Sequence, residues 1–232
     1  MLEQIYTDGT YLEKNPDWHL EESPWKAQQI LRMLEQNKLT PRSICEIGCG
    51  GGEILRQLQG QMDSECIFWG YEISPQAIEF CKSKKNEKLH FRLADIRREK
   101  DVFFDLILIA DVIEHLEDYF NFLREIQSKG HYKILHIPLD LSVQTVLRPG
   151  ALLNVRDSYG HLHYFTKEIA LQMLKDVGFE VLDYFYTTSS IVLPTHDISR
   201  KLLKLPRKLF FAIHQDLAAH ILGGCRLLVL AK

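Results

Sequence analysis

The chain lacks most of the features that mark a protein for secretion, for a membrane or for nucleic acid. Its 232 residues hold five cysteines, an odd number with no C-x-x-C pair, which fits neither a disulfide framework nor a zinc site. The thiols are therefore expected to be reduced and mostly buried. No apolar run approaches the roughly 20 residues of a membrane span. The opening MLEQIYTDGT has no basic segment followed by an apolar one, so a cytoplasmic location is expected. An excess of one charge is absent too: 28 Lys and Arg against 31 Asp and Glu leave a net charge of -3, which argues against general binding to a phosphate backbone. Repeats and low-complexity tracts are also missing. What remains, 46% hydrophobic and 25% charged, is the composition of an ordinary globular domain with enough apolar residues for a full core.

Between Ile44 and Val192, β-type runs alternate with helical segments. SICEIGC, CIFWGYEI, LHFRLADI, FDLILIADV and YKILHIPL are separated by stretches such as PQAIEFCKSKKNEK and EDYFNFLREIQSKG. That alternation predicts an α/β fold with a parallel sheet. FDLILIA and YKILHI are almost continuously apolar, as central strands covered on both faces must be. A helix over TKEIALQMLKDVG, opened by Thr166 and closed by Gly178, precedes the strand FEVLDYFYTTS, and CRLLVLAK is the final strand. Two regions fall outside this core. Residues 1–40 read as an N-terminal extension whose helix SPWKAQQILRMLEQN has Ser23 as N-cap and Pro24 at its first position; 41–232 form the main domain. Residues 194–224 read as a helical insertion before the last strand, where a simple doubly wound sheet needs only a short turn.

The strand SICEI runs into four glycines, Gly48, Gly50, Gly51 and Gly52. Glycine is costly in regular structure, so the cluster implies positive φ or a close approach by something else. A strand, a glycine turn and a helix N-terminus suit a nucleotide-like ligand. The dinucleotide fingerprint G-x-G-x-x-G is not satisfied, because Glu53 or Leu55 stands where the third glycine should be, and no G-K-[ST] completes a P-loop.

The pattern present, E-x-G-x-G-G-G from Glu46 to Gly52, resembles motif I of the class I S-adenosylmethionine (SAM)-dependent methyltransferases. SAM carries an ammonium and a sulfonium but no phosphate, so an acid at the strand end is tolerated. The resemblance continues along the chain. GYEIS places Glu72 about 20 residues beyond the loop, where an acid accepts from both ribose hydroxyls. LADI is similar to the family's adenine site, with Asp95 receiving the exocyclic amine and Ile96 offering its N–H. FDLILIADVIEHL resembles the fourth motif, with Ala110 and Asp111 beside the methyl donor. The implied cofactor is SAM, held by Glu46, Gly48, Cys49, Gly50, Glu72, Ile73, Asp95, Ile96, Ala110 and Asp111. The implied fold is a seven-stranded Rossmann-like sheet of order 3-2-1-4-5-7-6 with strand 7 antiparallel, and the implied activity is methylation of a small-molecule acceptor such as a natural product, sugar or lipid-linked intermediate.

The acceptor side is less determined, because the donor is already activated and the protein has mainly to align it, exclude water and, for a hydroxyl, remove a proton. His115, in DVIEHL, is the candidate base, with Glu114 beside it. In SYGHLHYFT the alternation of His161 and His163 with Leu162 and Tyr164 points both histidines to one side. Two histidines without a third ligand do not make a metal site, so none is expected. Pro138, expected just after strand five, and His161, His163 and Tyr164 are candidate pocket walls. NPDWHLEESPWKA resembles the segment that lies over the site as a lid in a subset of the family, with Trp18, His19, Trp25 and Lys26 as contacts. The basic insertion, with Arg200, Lys201, Lys204, Arg207 and Lys208 among leucines, is expected to pack on the sheet edge, a membrane surface being the rival partner. Nucleic acid is disfavoured by the charge and by the absence of an N-P-P-[YF] motif. The alternatives to catalysis of methyl transfer are a SAM-binding regulatory or scaffold domain and a nicotinamide oxidoreductase.

Overall fold

The computed structural model describes residues 4–18, 20–188 and 207–232. The expected substrate contact His19 and the part of the insertion before residue 207 lie outside these residues, so Arg200, Lys201 and Lys204 do too. Among the described residues seven strands form one sheet. They are β1 (Ser43–Ile47), β2 (Ile67–Glu72), β3 (Leu89–Leu93), β4 (Phe104–Ala110), β5 (Gly130–Leu139), β6 (Val181–Thr187) and β7 (Cys225–Ala231). The order is β3-β2-β1-β4-β5-β7-β6, with β7 antiparallel to both β5 and β6. The remaining pairs are parallel. The chain moves outward from β1 to β3 and then returns to place β4 on the other side of β1. That reversal opens a crevice at the carboxyl ends of β1 and β4, where ligands of such sheets bind.

Alternation along the strands distributes the apolar residues between two core layers. Cys45 and Ile47 of β1, Ile107 and Ile109 of β4, Leu135 and Ile137 of β5, and Leu227 and Val229 of β7 face one layer, which is completed by Phe122, Leu123, Phe165 and Met173 from helices and loops. Ile44, Leu106, Leu108, Ile134, Leu228 and Leu230 face the other, against Ala27, Ile30 and Leu34 of the helix Ser23–Gln36 and Leu55 and Leu58 of the helix Glu53–Gln59. Apolar residues on both faces account for the unbroken apolar runs of β4 and β5. All five cysteines are free and buried within these layers or beside them.

Two local expectations are corrected. The helix Ser23–Gln36 begins at Ser23 itself, because the 3₁₀ turn Leu20–Glu22 feeds straight into it and Glu22 takes the cap position without a side-chain bond. Pro138 stands inside β5 rather than after it, opposite Arg226 of β7. The β4 ladder stops at the Ala110–His136 pair, so the missing N–H of Pro138 removes no bond on that side. The Thr166 cap stands as expected, accepting from the Ile169 N–H. Of the insertion, helices occupy 207–213 and Gln215–Leu222, and Arg207 reaches Gln144 at 2.9 Å. No helix of the described residues is long and apolar enough to cross a membrane.

Phe68 is fully buried in the second layer. Phe68→Ala is expected to lower unfolding free energy by about 3–5 kcal/mol. Urea melts would show this as a lower midpoint at unchanged slope, whereas Val146→Ala, at a site 62% exposed, should stay within about 0.5 kcal/mol of the parent.

Candidate active site

The glycine turn owes its composition to its backbone. Gly48, Gly50 and Gly52 take φ values of 67°, 51° and 72°, a region that side chains disfavour. Space is also short: a Cβ on Gly50 would lie 2.6 Å from the Trp18 ring, and one on Gly52 would collide with Phe91. The turn is stitched to β2. Gly48 and Cys49 donate their N–H groups to the Tyr71 carbonyl at 2.8 and 3.1 Å, and Gly50 donates to Glu72 Oε2 at 2.8 Å. Glu72 Oε1 accepts from the N–H groups of Ile73 and Ser74 at 2.8 and 2.9 Å. Burial lifts the Glu72 carboxyl above its usual range, and these three donors pull it back. Glu72 thus sets the shape of the turn.

Three further acids sit at the neighbouring strand ends. Glu46 is buried with Oε2 unpartnered, and burial raises its carboxyl well above the usual range. Asp111 has φ 53°, a strained value for a residue with a side chain. Burial alone would raise Asp111, but Lys26, His136 and Arg226 hold it well below the usual range. Lys26 Nζ is 2.6 Å from Oδ2, and His136 Nδ1 and Arg226 Nε are 3.2 and 3.8 Å from Oδ1. Glu114 is fully buried with both oxygens unpartnered. A ligand carrying an ammonium and a sulfonium fits this end of the sheet: the glycine turn presents backbone without side chains, and buried carboxyl oxygens such as Glu46 Oε2 have no hydrogen-bond partner among the described residues.

The acceptor side is built from the turn after β4, the segment 160–165 and the N-terminal helices. The Glu114 carbonyl accepts from the N–H groups of Leu162 at 2.7 Å and His163 at 3.2 Å, which docks that segment onto the turn. The His115 and His161 rings meet edge to face, their centroids 4.9 Å apart. His115 Nδ1 is 2.8 Å from Tyr6 Oη, and His161 Nδ1 is 2.7 Å from Asp140 Oδ2. Burial and the neighbouring His161 push His115 down to about 4. His163 does not join its partner: its Nε2 turns to the Leu116 carbonyl at 2.8 Å, and the expectation that both histidines face one side is corrected by that bond. The segment is irregular rather than a strand, so alternation does not hold.

The remaining expected residues divide. Ala110 lies at the β4 end within the site, and Cys49 is buried beneath the turn. Ile73 is exposed beside Glu72, and Ala94 donates to the Glu72 carbonyl, which brings the end of β3 alongside. Asp95 caps the 3₁₀ turn Ile96–Arg98 and is doubly bonded by Arg97 Nε at 3.0 Å to each oxygen, while Ile96 is buried in the first core layer. Trp25 packs edge-on to His136 at 6.0 Å rather than lining an opening. Tyr164 donates to the Leu152 carbonyl, bracing the helix Ala151–Tyr159. Sequence reasoning missed Tyr6, Tyr11, His136, Asp140 and Arg226. Arg226 alone left a signal, a charge at the head of an otherwise apolar strand; the others become visible only when the chain folds back on itself.

The buried Glu46 generates a prediction. Its folded pKa is raised, so the stability tied to its protonation is present below the ordinary value of 4.5 and is lost as pH climbs towards the raised one. In the absence of ligand, Glu46→Gln is expected to raise the melting temperature at neutral pH, with the gain shrinking as pH falls towards 4.5. A scan showing an equal gain at both pH values would count against an uncompensated carboxyl at this position.

Comparison with known proteins places this site in a family. A family model described as "Methyltransferase domain" matches residues 18–184. Ajmaline N-methyltransferase from Rauvolfia serpentina is 30% identical over 114 residues, which are 44% of this chain and 38% of the relative. The chain thus spans about two fifths of the length of the curated relatives it matches. Among solved structures, the plantazolicin methyltransferase BpumL, in complex with a monoazolic desmethylPZN analog and SAH, superposes with a TM-score of 0.65 at 19% identity, over 100% of this chain and 93% of that one. Magnesium protoporphyrin IX methyltransferase from Synechocystis PCC 6803, with bound SAH, gives a TM-score of 0.59 at 14% identity over 90% and 82%. A family match across most of the chain, carried on a sheet of order 3-2-1-4-5-7-6, makes this protein a member of the class I SAM-dependent methyltransferases.

Proposed function

We propose that the chain binds SAM across the carboxyl ends of β1, β2 and β4 and transfers its methyl group to a small-molecule acceptor. The observation that carries this reading is the glycine turn pinned by Glu72 beside buried carboxyl oxygens that have no hydrogen-bond partner among the described residues. In this reading Glu72 keeps acceptor capacity for the ribose, the Gly48–Gly50 backbone lies against the amino-acid part, Glu46 and Asp111 balance its positive charge, and Asp95 with Ile96 borders the adenine. When bound, SAM supplies a methyl group activated by the sulfonium, so the chain's own residues need only to position the acceptor and keep water away.

Residues 4–18 are suited to the second task. Gln76 donates to the Thr7 carbonyl, Tyr6 reaches His115, Lys14 donates to the Asp157 carbonyl at 2.7 Å, and Trp18 lies over Gly50, so the segment crosses the strand ends from one rim to the other. We place it as the lid of residues 1–40 over a domain of 41–232. His115 enters as a wall of the acceptor pocket: held near 4, its ring is neutral at physiological pH but too weakly basic to take much of a proton from a hydroxyl. Amines are the first acceptors to test, since they need no base once neutral and an acidic wall draws their cationic form into the site. The N-methyltransferase name of the curated relative supports the same choice.

Incubation with methyl-labelled SAM and a panel of amine and phenol natural products is expected to give labelled product and stoichiometric S-adenosylhomocysteine. A regulatory, non-catalytic reading draws on one observation, the closure of Tyr6 onto His115, and predicts binding with no labelled product from any acceptor. Glu72→Gln removes a charged partner of three N–H groups, and by calorimetry it should weaken SAM binding about tenfold or more, each tenfold being about 1.4 kcal/mol. Unchanged affinity would exclude Glu72 from the cofactor site.

A further inference from the structure

We propose that Glu114, His115 and His161 form a site for one divalent transition-metal ion of the zinc type, with Tyr6 and Asp140 holding the two imidazoles in place. One ligand atom from each of the three residues lies within 4.8 Å of the other two. Glu114 Oε1 and His115 Nε2 are already 3.8 Å apart. Bonds of about 2.0–2.2 Å to zinc require a ligand spacing near 3.4 Å, so the cluster closes on an ion by side-chain rotation of about an ångström.

Two independent features point to an ion. The first is Glu114, a fully buried carboxyl whose two oxygens both lack a hydrogen-bond partner. Ionised, it is an isolated charge out of water; protonated, it still buries an O–H without an acceptor, and either state is unfavourable. Lys26 and Arg226 act on it through space, while the ion pairs they form are with Asp111 and Glu22. A bound cation satisfies both oxygens' need at once. The second is the orientation of the histidines. His161 Nδ1 is 2.7 Å from Asp140 Oδ2, so Nδ1–H donates to the carboxylate, and in the tautomer in which His115 Nδ1–H donates to Tyr6 Oη at 2.8 Å the Nε2 lone pair of each ring serves for coordination. A carboxylate behind a histidine is the usual arrangement around zinc, where it fixes tautomer and ring direction. The sequence offers His161 and His163 without a third ligand; the fold discards His163 and brings Glu114 and His115 from the turn after β4 to replace it.

Two imidazoles and a carboxylate select a borderline ion over calcium or magnesium, and three protein ligands leave a position for water or for an oxygen or nitrogen of the acceptor. The inference concerns the acceptor side of the proposed site but is measured without SAM, so it can fail while methyl transfer stands, and the reverse. Full-length protein is stripped with a chelator and titrated with Co²⁺, following visible absorption, and Zn²⁺ is then added in competition. One Co²⁺ per chain, displaced by Zn²⁺, is expected. Glu114→Gln and His161→Gln should each weaken Co²⁺ binding at least tenfold, and Asp140→Asn, which touches no ion, by about 10–100-fold. His163→Gln removes a histidine bonded to the Leu116 carbonyl and should leave binding unchanged. Near-UV circular dichroism identifies any ligand variant that fails to fold, in which case Asp140→Asn decides. No Co²⁺ binding by the folded parent overturns the site, as does binding that survives the folded Glu114, His161 and Asp140 variants or that falls equally with His163→Gln.

Discussion

Four carboxyl groups leave water at the carboxyl ends of three adjacent strands, and the arrangement of the site follows from how each is compensated. Glu72, at the end of β2, is answered by three backbone N–H groups, and the same bonds fold the glycine turn. Asp111, after β4, is answered by Lys26 from the N-terminal helix, His136 from β5 and Arg226 from β7. Glu46 Oε2 and both oxygens of Glu114 have no hydrogen-bond partner among the described residues, and Lys26 acts on both carboxyls through space. A buried carboxyl oxygen without a hydrogen-bond partner marks a place where a ligand or ion completes the balance; Glu46 lies on β1, between the strands that lead to Glu72 and Asp111, and Glu114 follows Asp111. The two gaps are separate in character: Glu46 lies beside the glycine turn, where a cationic cofactor fits, whereas Glu114 lies against two histidines.

The same compensation ties the N-terminal segment to the domain. Lys26 binds Asp111 and Glu22 from the first turn of its helix, and Arg226 reaches both of those acids from β7. Tyr6 and Tyr11 then pack into the cleft, with ring centroids 4.9 Å apart, and Trp18 closes onto the glycine turn. The family match beginning at residue 18 covers the charged part of this segment and not the aromatic helices before it.

Most of the fold was legible in the sequence because period and punctuation suffice for it. Continuous apolar runs marked β4 and β5, the glycine cluster marked the switch between strand and helix, and Thr166 and Gly178 bracketed the late helix. The strand order was read from the family resemblance, since nothing local tells β7 to insert between β5 and β6. Misplacements were local: Ser23 lost its cap role to a preceding 3₁₀ turn, and Pro138 entered a strand whose ladder to β4 had already ended. The site was legible where chemistry is carried by contiguous motifs, as with Glu46 to Gly52, Glu72 and Asp111. It was illegible where partners come together from distant parts of the chain: Tyr6 with His115, His161 with Asp140, and Asp111 with Arg226 lie 21 or more positions apart, and the residues between carry no trace of the pairing. His163 shows the opposite failure, a residue whose spacing promised a shared face that an irregular segment did not supply.

The most direct test of this account is isothermal titration of the intact chain with SAM and with S-adenosylhomocysteine. The account predicts one molecule of either per chain, with SAM favoured over its product, which lacks the sulfonium charge, and, on the placement proposed for Glu46, that preference reduced in Glu46→Gln. Absence of binding by both compounds would contradict it.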